Sequence, residues 1–321
     1  MNKAEREIVF MGTSDFAVPA LEALYEAGYG IPYVVTTPDR ARGRGGKILP
    51  TPVGLFAEKN GLKLLKPESL KDDEGFKRAL TEAEPDLIAV AAYGKILPEY
   101  LLRIPRFGCV NIHASLLPEY RGAAPVQRAI LDGKSETGVT LMYMSKGLDT
   151  GDVIAAVNTN ASGKNAGELT AELARLGAAL LLKEMPALLD GTAPRLPQDG
   201  AKATYAEKVE KAEGVLRFDF AAEEIERRVR AMTPAPGAYI EKGGDRIGVT
   251  AAAAIGRKTA ERVFEAYEKA ACGTVLDVSN QGIAVRAGEG AVLIEAIKMP
   301  GRKAMAVAEY LKGNDFDIKS F

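Results

Sequence analysis

The chain has one histidine, two cysteines and no tryptophan in 321 residues. A single histidine removes the Cys/His ligand sets of an ordinary zinc site, so no metal is expected. Cys109 and Cys272 lie far apart in sequence, which fits reduced thiols better than a disulfide framework. No long apolar run is available to span a membrane, and the opening MNKAEREIVFMG is too short for a signal peptide, so a cytoplasmic protein is expected. The formal net charge of -1 gives no global basic field, and any nucleic-acid contact must be local. GxGxxG, GxxxxGK[ST] and GxSxG are absent as well. The sequence therefore makes no case for a dinucleotide, a nucleoside triphosphate or a serine-hydrolase elbow.

What is present describes a globular protein of two domains. Apolar runs at 8–12, 31–36, 62–65, 87–92, 108–112 and 139–144 read as strands. Helical spacing at 16–27, 70–83 and 125–132 alternates with them, as in a mostly parallel α/β sheet with helices on both faces. A long Ala- and Leu-rich helix at 167–189 closes the first domain, 1–189. Residues 190–208 turn to Gly, Pro, Gln, Lys and Thr and read as a linker. In the second domain, 209–321, a helix at 220–232 presents Phe220, Ile225, Val229 and Met232 on its apolar side, with Arg227, Arg228 and Arg230 outward. Short strands follow at 238–241, 246–252, 273–278, 282–287 and 291–297; their spacing and glycine turns suggest a small β-barrel of OB type.

The only histidine stands in NIHASLLPEYRGAAP, residues 111–125. Residues two apart in a strand share a face, so Asn111 and His113 emerge together at the end of the 108–112 strand. An amide donor beside an imidazole suits acyl transfer to nitrogen, where one group holds an oxyanion and another moves a proton. A plainer reading is a strand-end histidine satisfied by a carbonyl, with Asn111 as a turn former. In open α/β sheets ligands sit at the carboxyl ends of strands, where Asn111, His113 and the Tyr93-Gly94 turn all fall.

Ser115-Leu116-Leu117-Pro118 followed by Arg121-Gly122 resembles the signature of the folate-dependent formyltransferases. Further similarity runs through Val90-Ala91-Ala92-Tyr93-Gly94, Gly147 to Asp152, Thr204-Tyr205-Ala206 and 301–311, nearly the whole chain. The resemblance implies a Rossmann-like catalytic domain followed by a smaller OB-like domain. It implies 10-formyltetrahydrofolate as formyl donor and Asn111, His113 and Asp149 as the catalytic group, the last from Gly147-Leu148-Asp149-Thr150-Gly151. It also implies a folate site lined by Ser115, Leu116, Leu117 and Pro118, with the pterin received by backbone groups near Leu87 to Tyr93, Ala91 among them, and around Asp149. Leu117-Pro118, a tight turn beside a pocket, is a candidate cis peptide. Taken alone, Asp149 is a turn former, Leu116 and Leu117 are core, and Arg121 makes a surface ion pair.

Arg40, Arg42, Arg44 and Lys47 are interleaved with glycines before Pro50. Members of the family acting on initiator methionyl-tRNA carry an inserted basic loop at this place, so the resemblance implies that RNA as partner, through this loop and through Lys298, Arg302 and Lys303 in the second domain. No obligate protein partner is evident. Acidic and basic residues of the second domain roughly cancel, which supports a barrel more than a basic patch. Two features depart from the family: 233–237 lacks the usual asparagine and tryptophan, and 257–271 is unusually charged and helix-like. Competing readings are a formyltransferase for a small amine (a ribotide or an aminosugar nucleotide), a hydrolase of formyltetrahydrofolate, and a non-catalytic RNA-binding module.

Overall fold

The computed structural model describes residues 3–42 and 47–321; Arg44 of the basic loop lies outside the described residues. The chain divides into two compact units. The first takes Met1–Pro125, Glu136–Asn160 and Thr170–Glu207, and the second Val126–Ser135, Ala161–Leu169 and Lys208–Phe321. Among the described residues no helix is long and apolar enough to cross a membrane.

In chain order the elements up to residue 207 begin with β1 (Ile8–Gly12), α1 (Val18–Glu26), β2 (Val34–Val35), β3 (Arg40–Arg42), β4 (Lys47–Leu49) and α2 (Pro52–Lys59). Next come β5 (Leu64–Leu65), α3 (Glu74–Glu82), β6 (Leu87–Ala91), α4 (Glu99–Arg103) and β7 (Cys109–His113). The series ends with β8 (Arg121–Gly122), α5 (Pro125–Leu131), β9 (Glu136–Tyr143), β10 (Val153–Asn160), α6 (Ala166–Leu189) and β11 (Tyr205–Ala206). β1 and β6 are apolar and buried at every position, as strands covered on both faces must be. Helix starts carry their own chemistry. Thr51 caps α2 by accepting the Gly54 N–H, with Pro52 next in the chain, and Asp73 caps α3 by accepting the Phe76 N–H.

The main sheet has seven strands in the order β10-β9-β7-β6-β1-β2-β5. The five from β7 to β5 are parallel, while β9 and β10 run antiparallel at one edge. β10 was not among the expected strands. Its burial alternates as an edge strand's does, and its first five residues, Val153 to Val157, form an apolar run like those of the expected strands before the polar Asn158-Thr159-Asn160. After β1 the chain moves outward to β2 and β5 and then crosses back to β6, so the strand order reverses between β1 and β6. The hydroxyl of Thr13, just past β1, donates to the Tyr93 carbonyl just past β6 at 3.0 Å and ties the two sides of this crevice together.

On one sheet face Val9, Met11, Ile88, Val90 and Cys109 form a core with Phe76 and Leu80 of α3 and Leu101 of α4. On the other, Ile112 meets α6. A Cβ at Gly177 would stand 2.5 Å from the Ile112 Cγ2, so glycine is needed for helix and strand to approach this closely.

The second unit contains α7 (Ala222–Met232), β12 (Ala238–Lys242), β13 (Asp245–Ile255), α8 (Arg257–Val263), β14 (Val275–Ser279), β15 (Gly282–Arg286), β16 (Ala291–Lys298), β17 (Met305–Ala306) and α9 (Val307–Leu311). Its strands are antiparallel in the order β12-β13-β16-β15-β14, with β17 on β16. Ile225, Val229 and Met232 of α7 fill a core with Ile240, Val249, Ile283, Val285, Ile294 and Ile297. The α7 arginines, expected to face outward, are instead engaged within the unit. Arg227 donates to the Leu131 carbonyl, Arg228 to that of Glu213, and Arg230 to that of Lys164 and to Glu226. The 233–237 segment, despite lacking tryptophan, is closed by the Gly237 N–H on the Met232 carbonyl and flanked by buried Met232 and Ala238.

The charged 257–271 segment has a structural account. Arg257 pairs with Glu261 and Glu268 on its outer side. Tyr267 is fully buried beneath it, stacked on the Arg286 guanidinium and accepting the buried Gly290 N–H at 2.9 Å. Tyr267→Phe would leave that N–H without an acceptor, which costs roughly 1–3 kcal/mol. A lower urea midpoint at unchanged m value is the expected result. In the same unit Arg128 hydrogen-bonds both carboxylate oxygens of Glu213 and holds its carboxyl below the usual range. A folded pKa below the unfolded value stabilises fully above the unfolded value, and the gain disappears as pH falls through the lowered one. The stability difference between the wild type and Glu213→Gln should therefore be largest above pH 4.5 and close on further acidification, as read by unfolding across a pH series.

Candidate active site

Asn111 and His113 are the third and last residues of β7, on the face opposite Ile112. His113 is 5% exposed. Its Nε2 lies 2.9 Å from the Tyr120 carbonyl. A carbonyl can only accept, so Nε2 carries hydrogen and Nδ1 is the ring position open to proton exchange. The Asp149 Oδ2 stands 3.6 Å from Nδ1, longer than a direct hydrogen bond. That same oxygen accepts the Gly122 N–H at 2.9 Å. The half-buried Asn111 side chain makes no hydrogen bond among the described residues, which leaves its amide available to a ligand.

Both turns feeding the site hold L residues in the left-handed region: Tyr120 at φ 58° and Asp149 at φ 50°. Such a conformation costs on the order of 1–3 kcal/mol. A hydrogen bond to a charged group returns about 1.5–3 kcal/mol, so the Gly122–Asp149 bond alone can offset the strain at Asp149. Gly151 lets this turn close: a Cβ there would lie 1.8 Å from the Tyr143 carbonyl oxygen.

The 115–122 turn is stitched to its surroundings. Thr140 of β9 donates to the Ser115 carbonyl at 2.7 Å and accepts the Leu117 N–H at 3.0 Å. The Ser115 hydroxyl donates to the Glu119 carbonyl, the Thr204 hydroxyl accepts the Tyr120 N–H, and β11 pairs with β8. The Leu117–Pro118 bond is cis, as expected. Leu116 packs over Gly138 in β9. Arg121, for which a surface ion pair was only the plainer alternative to a place in the signature, is 6% exposed and bonded to the Gln198 amide, with no carboxylate in ion-pair reach among the described residues.

Of the 87–93 stretch expected to receive the pterin through its backbone, the Leu87 end and the Tyr93 phenol lie away from the His113 end of the sheet. Leu87 starts β6 and is fully buried; four residues of strand, about 13 Å, separate it from Ala91 at the site end. The Tyr93 phenol turns into the α3–α4 core, where burial pushes its pKa up and its hydroxyl has no partner among the described residues. Ala91, although buried, does end β6 at the crevice between β1 and β6. Beyond it Ala92 (φ 42°) and Gly94 (φ 81°) are exposed and make no backbone hydrogen bond among the described residues.

Of the basic candidates, Arg40 is exposed on β3, and the backbones of Arg42 and Lys47 face each other in the β3–β4 hairpin. In the second unit Lys298, Arg302 and Lys303 are exposed together around the β16–β17 turn. Residues missed by sequence reasoning are Thr140, Thr204 and Gln198. Only Thr204-Tyr205-Ala206 carried a signal, as part of the resemblance.

A ring whose Nδ1 makes no hydrogen bond, an unengaged amide and an adjacent carboxylate are the kinds of group that acyl transfer uses. The neighbouring Ser115 and Thr140 hydroxyls are committed to backbone groups, and burial pushes the Cys109 thiol up to about 12. The site is thus built to stabilise charge and move a proton, with no free nucleophile among these groups.

The formyl transferase model matches residues 6–184, and the model of the formyl transferase C-terminal domain matches 208–315. A methionyl-tRNA formyltransferase of Novosphingobium aromaticivorans is 46% identical over 306 residues, covering 95% of this chain and 96% of that one. One from Moorella thermoacetica is 42% identical over 307 residues, with 95% and 96% covered. The structure of HypX from Aquifex aeolicus in complex with tetrahydrofolic acid is similar in fold, at a TM-score of 0.64 and 18% identity; the match covers 98% of this chain and half of that one's length. The chain belongs to the formyl transferase family, in the group of methionyl-tRNA formyltransferases.

Thr140→Val, nearly isosteric, would strip the Ser115 carbonyl and Leu117 N–H of their partner in a fully buried position. A loss of about 2–6 kcal/mol in unfolding free energy is expected by denaturant titration, at roughly 1–3 kcal/mol for each orphaned group.

Proposed function

We propose that this chain transfers the formyl group of 10-formyltetrahydrofolate to the α-amine of methionine on initiator methionyl-tRNA. The observation that carries the reading is the meeting of Asn111, His113 and Asp149 at the carboxyl end of β7, with Nδ1 of His113 facing the carboxylate. The Asn111 amide donates to the oxygen of the transferred carbonyl as negative charge develops there. At Nδ1, His113 takes the proton released by the attacking amine and returns it to the departing nitrogen. One C–N bond forms, one breaks, and the proton count balances. Asp149, 3.6 Å from Nδ1, stabilises the ring while it is charged.

The folate rests against the crevice between β1 and β6, the switch point where ligands of open α/β sheets bind. The unengaged backbone groups of Ala92 and Gly94 fit an amide-bearing heterocycle, and Ala91 with the Ser115–Pro118 turn forms the neighbouring wall. For the RNA, Arg40, Arg42, Arg44 and Lys47 of the hairpin region, with Lys298, Arg302 and Lys303, supply phosphate contacts.

The test is formyl transfer from 10-formyltetrahydrofolate to charged initiator tRNA, charged elongator methionine tRNA, a small amine or water. Transfer to charged initiator tRNA is expected. Asn111→Ala should lower kcat by about 10²–10³-fold and His113→Ala by about 10²–10⁴-fold. Turnover with small amines or water alone would discard the RNA substrate and keep the chemistry. Changing Lys298, Arg302 and Lys303 to Gln should weaken RNA binding and make the slope of log K against log salt shallower. The change should be about 0.7–0.9 for each phosphate that is no longer neutralised, read by binding titrations at several salt concentrations.

A further inference from the structure

Gln198 lies in the 190–208 segment, 77 residues from Arg121 and 49 from Asp149, yet its side chain joins the two catalytic turns. Its Nε2 donates to the carbonyls of Asp149 (2.9 Å) and Gly151 (2.7 Å). Its Oε1 accepts from Nε (3.1 Å) and Nη2 (2.7 Å) of Arg121. Two N–H groups and two lone pairs are all that a primary amide has, and all four are used. The orientation is fixed by the partners, since backbone carbonyls only accept and a guanidinium only donates. Glutamate lacks the donors, lysine and arginine lack the acceptor, and asparagine is one methylene shorter.

Each end of this bridge sets an atom of the reaction. The Arg121 turn presents the Tyr120 carbonyl to His113 and the Gly122 N–H to the Asp149 carboxylate. The other end grips the backbone of Asp149 itself, held at φ 50°. The bridging residue is itself anchored, because Leu196 exchanges both backbone hydrogen bonds with Val153, at 2.8 and 3.0 Å.

We propose that Gln198 is a positioning residue for the Asp149–His113 pair, locking the aspartate turn against the Arg121 turn. The proposal rests on the reading that Asp149 works with His113 in turnover.

The test uses the full-length enzyme and four variants: Gln198→Glu, Gln198→Met, Asp149→Asn and the Gln198→Glu/Asp149→Asn double. Gln198→Glu keeps an acceptor for Arg121 and loses both donors to the aspartate turn. It should unfold at nearly the wild-type temperature, hold KM for both substrates within about threefold, and lose roughly tenfold or more in kcat, since small misplacements of reacting groups are costly. Gln198→Met, which adds no charge, should lose a similar factor in kcat and some stability as well. Because both positions serve one function, the double variant should be no more than about twofold slower than Asp149→Asn alone. Normal turnover by Asp149→Asn would overturn the role of Asp149 and the proposal with it. A slow Asp149→Asn beside a normal Gln198→Glu, or losses that multiply in the double variant, would overturn the proposal alone.

Discussion

The hydrogen bond from His113 Nε2 to the Tyr120 carbonyl is the constraint on which the site depends. It selects the tautomer and ring orientation, and so decides that Nδ1 faces Asp149. For the carbonyl to point inward, Tyr120 must sit in the left-handed region, and the turn around it must be held from several directions. Thr140, Thr204, the Ser115 hydroxyl and the β8–β11 pairing do so, each by a short bond to backbone. A free imidazole would sample both tautomers and many orientations; here the fold has removed that freedom.

The sheet explains why the site lies where it does. Strand order reverses between β1 and β6, and in open α/β sheets ligands bind at the carboxyl ends of strands beside such a reversal. β7 lies next to β6, so its last residue stands at the same end of the sheet. On the far side of β7 the antiparallel β9 supplies Thr140, opposite His113 in the ladder, and so supports the 115–122 turn from a rigid strand. A proton-exchanging group and a ligand crevice are thereby brought together by strand register.

Several elements could be read in one dimension because their cause is local. Unbroken apolar runs mark β1 and β6, since strands covered on both faces tolerate little else. The period of two in β7 places Asn111 and His113 on one face. The Gly-Leu-Asp-Thr-Gly stretch marks the turn at 147–151. By contrast, β10 went unread although Val153 to Val157 is apolar, and the α7 arginines look outward in the sequence while their carbonyl partners lie in distant segments. Position along a motif does not tell that Leu87 sits at the far end of its strand or that Tyr93 turns its ring into the core.

The order of residues is thus enough to specify the alternating α/β organisation, the strand carrying Asn111 and His113, and the turn carrying Asp149. Those features follow from the period of apolar residues and from the chemistry of neighbouring residues. Folding in three dimensions was needed to settle that Asp149 reaches His113, that Arg121 is buried on an amide, and that Gln198, in a stretch with the composition of a linker, completes the bridge. Hydrogen bonds between groups 27 to 84 residues apart depend on where whole strands and turns meet in space, and local composition carries no record of that meeting.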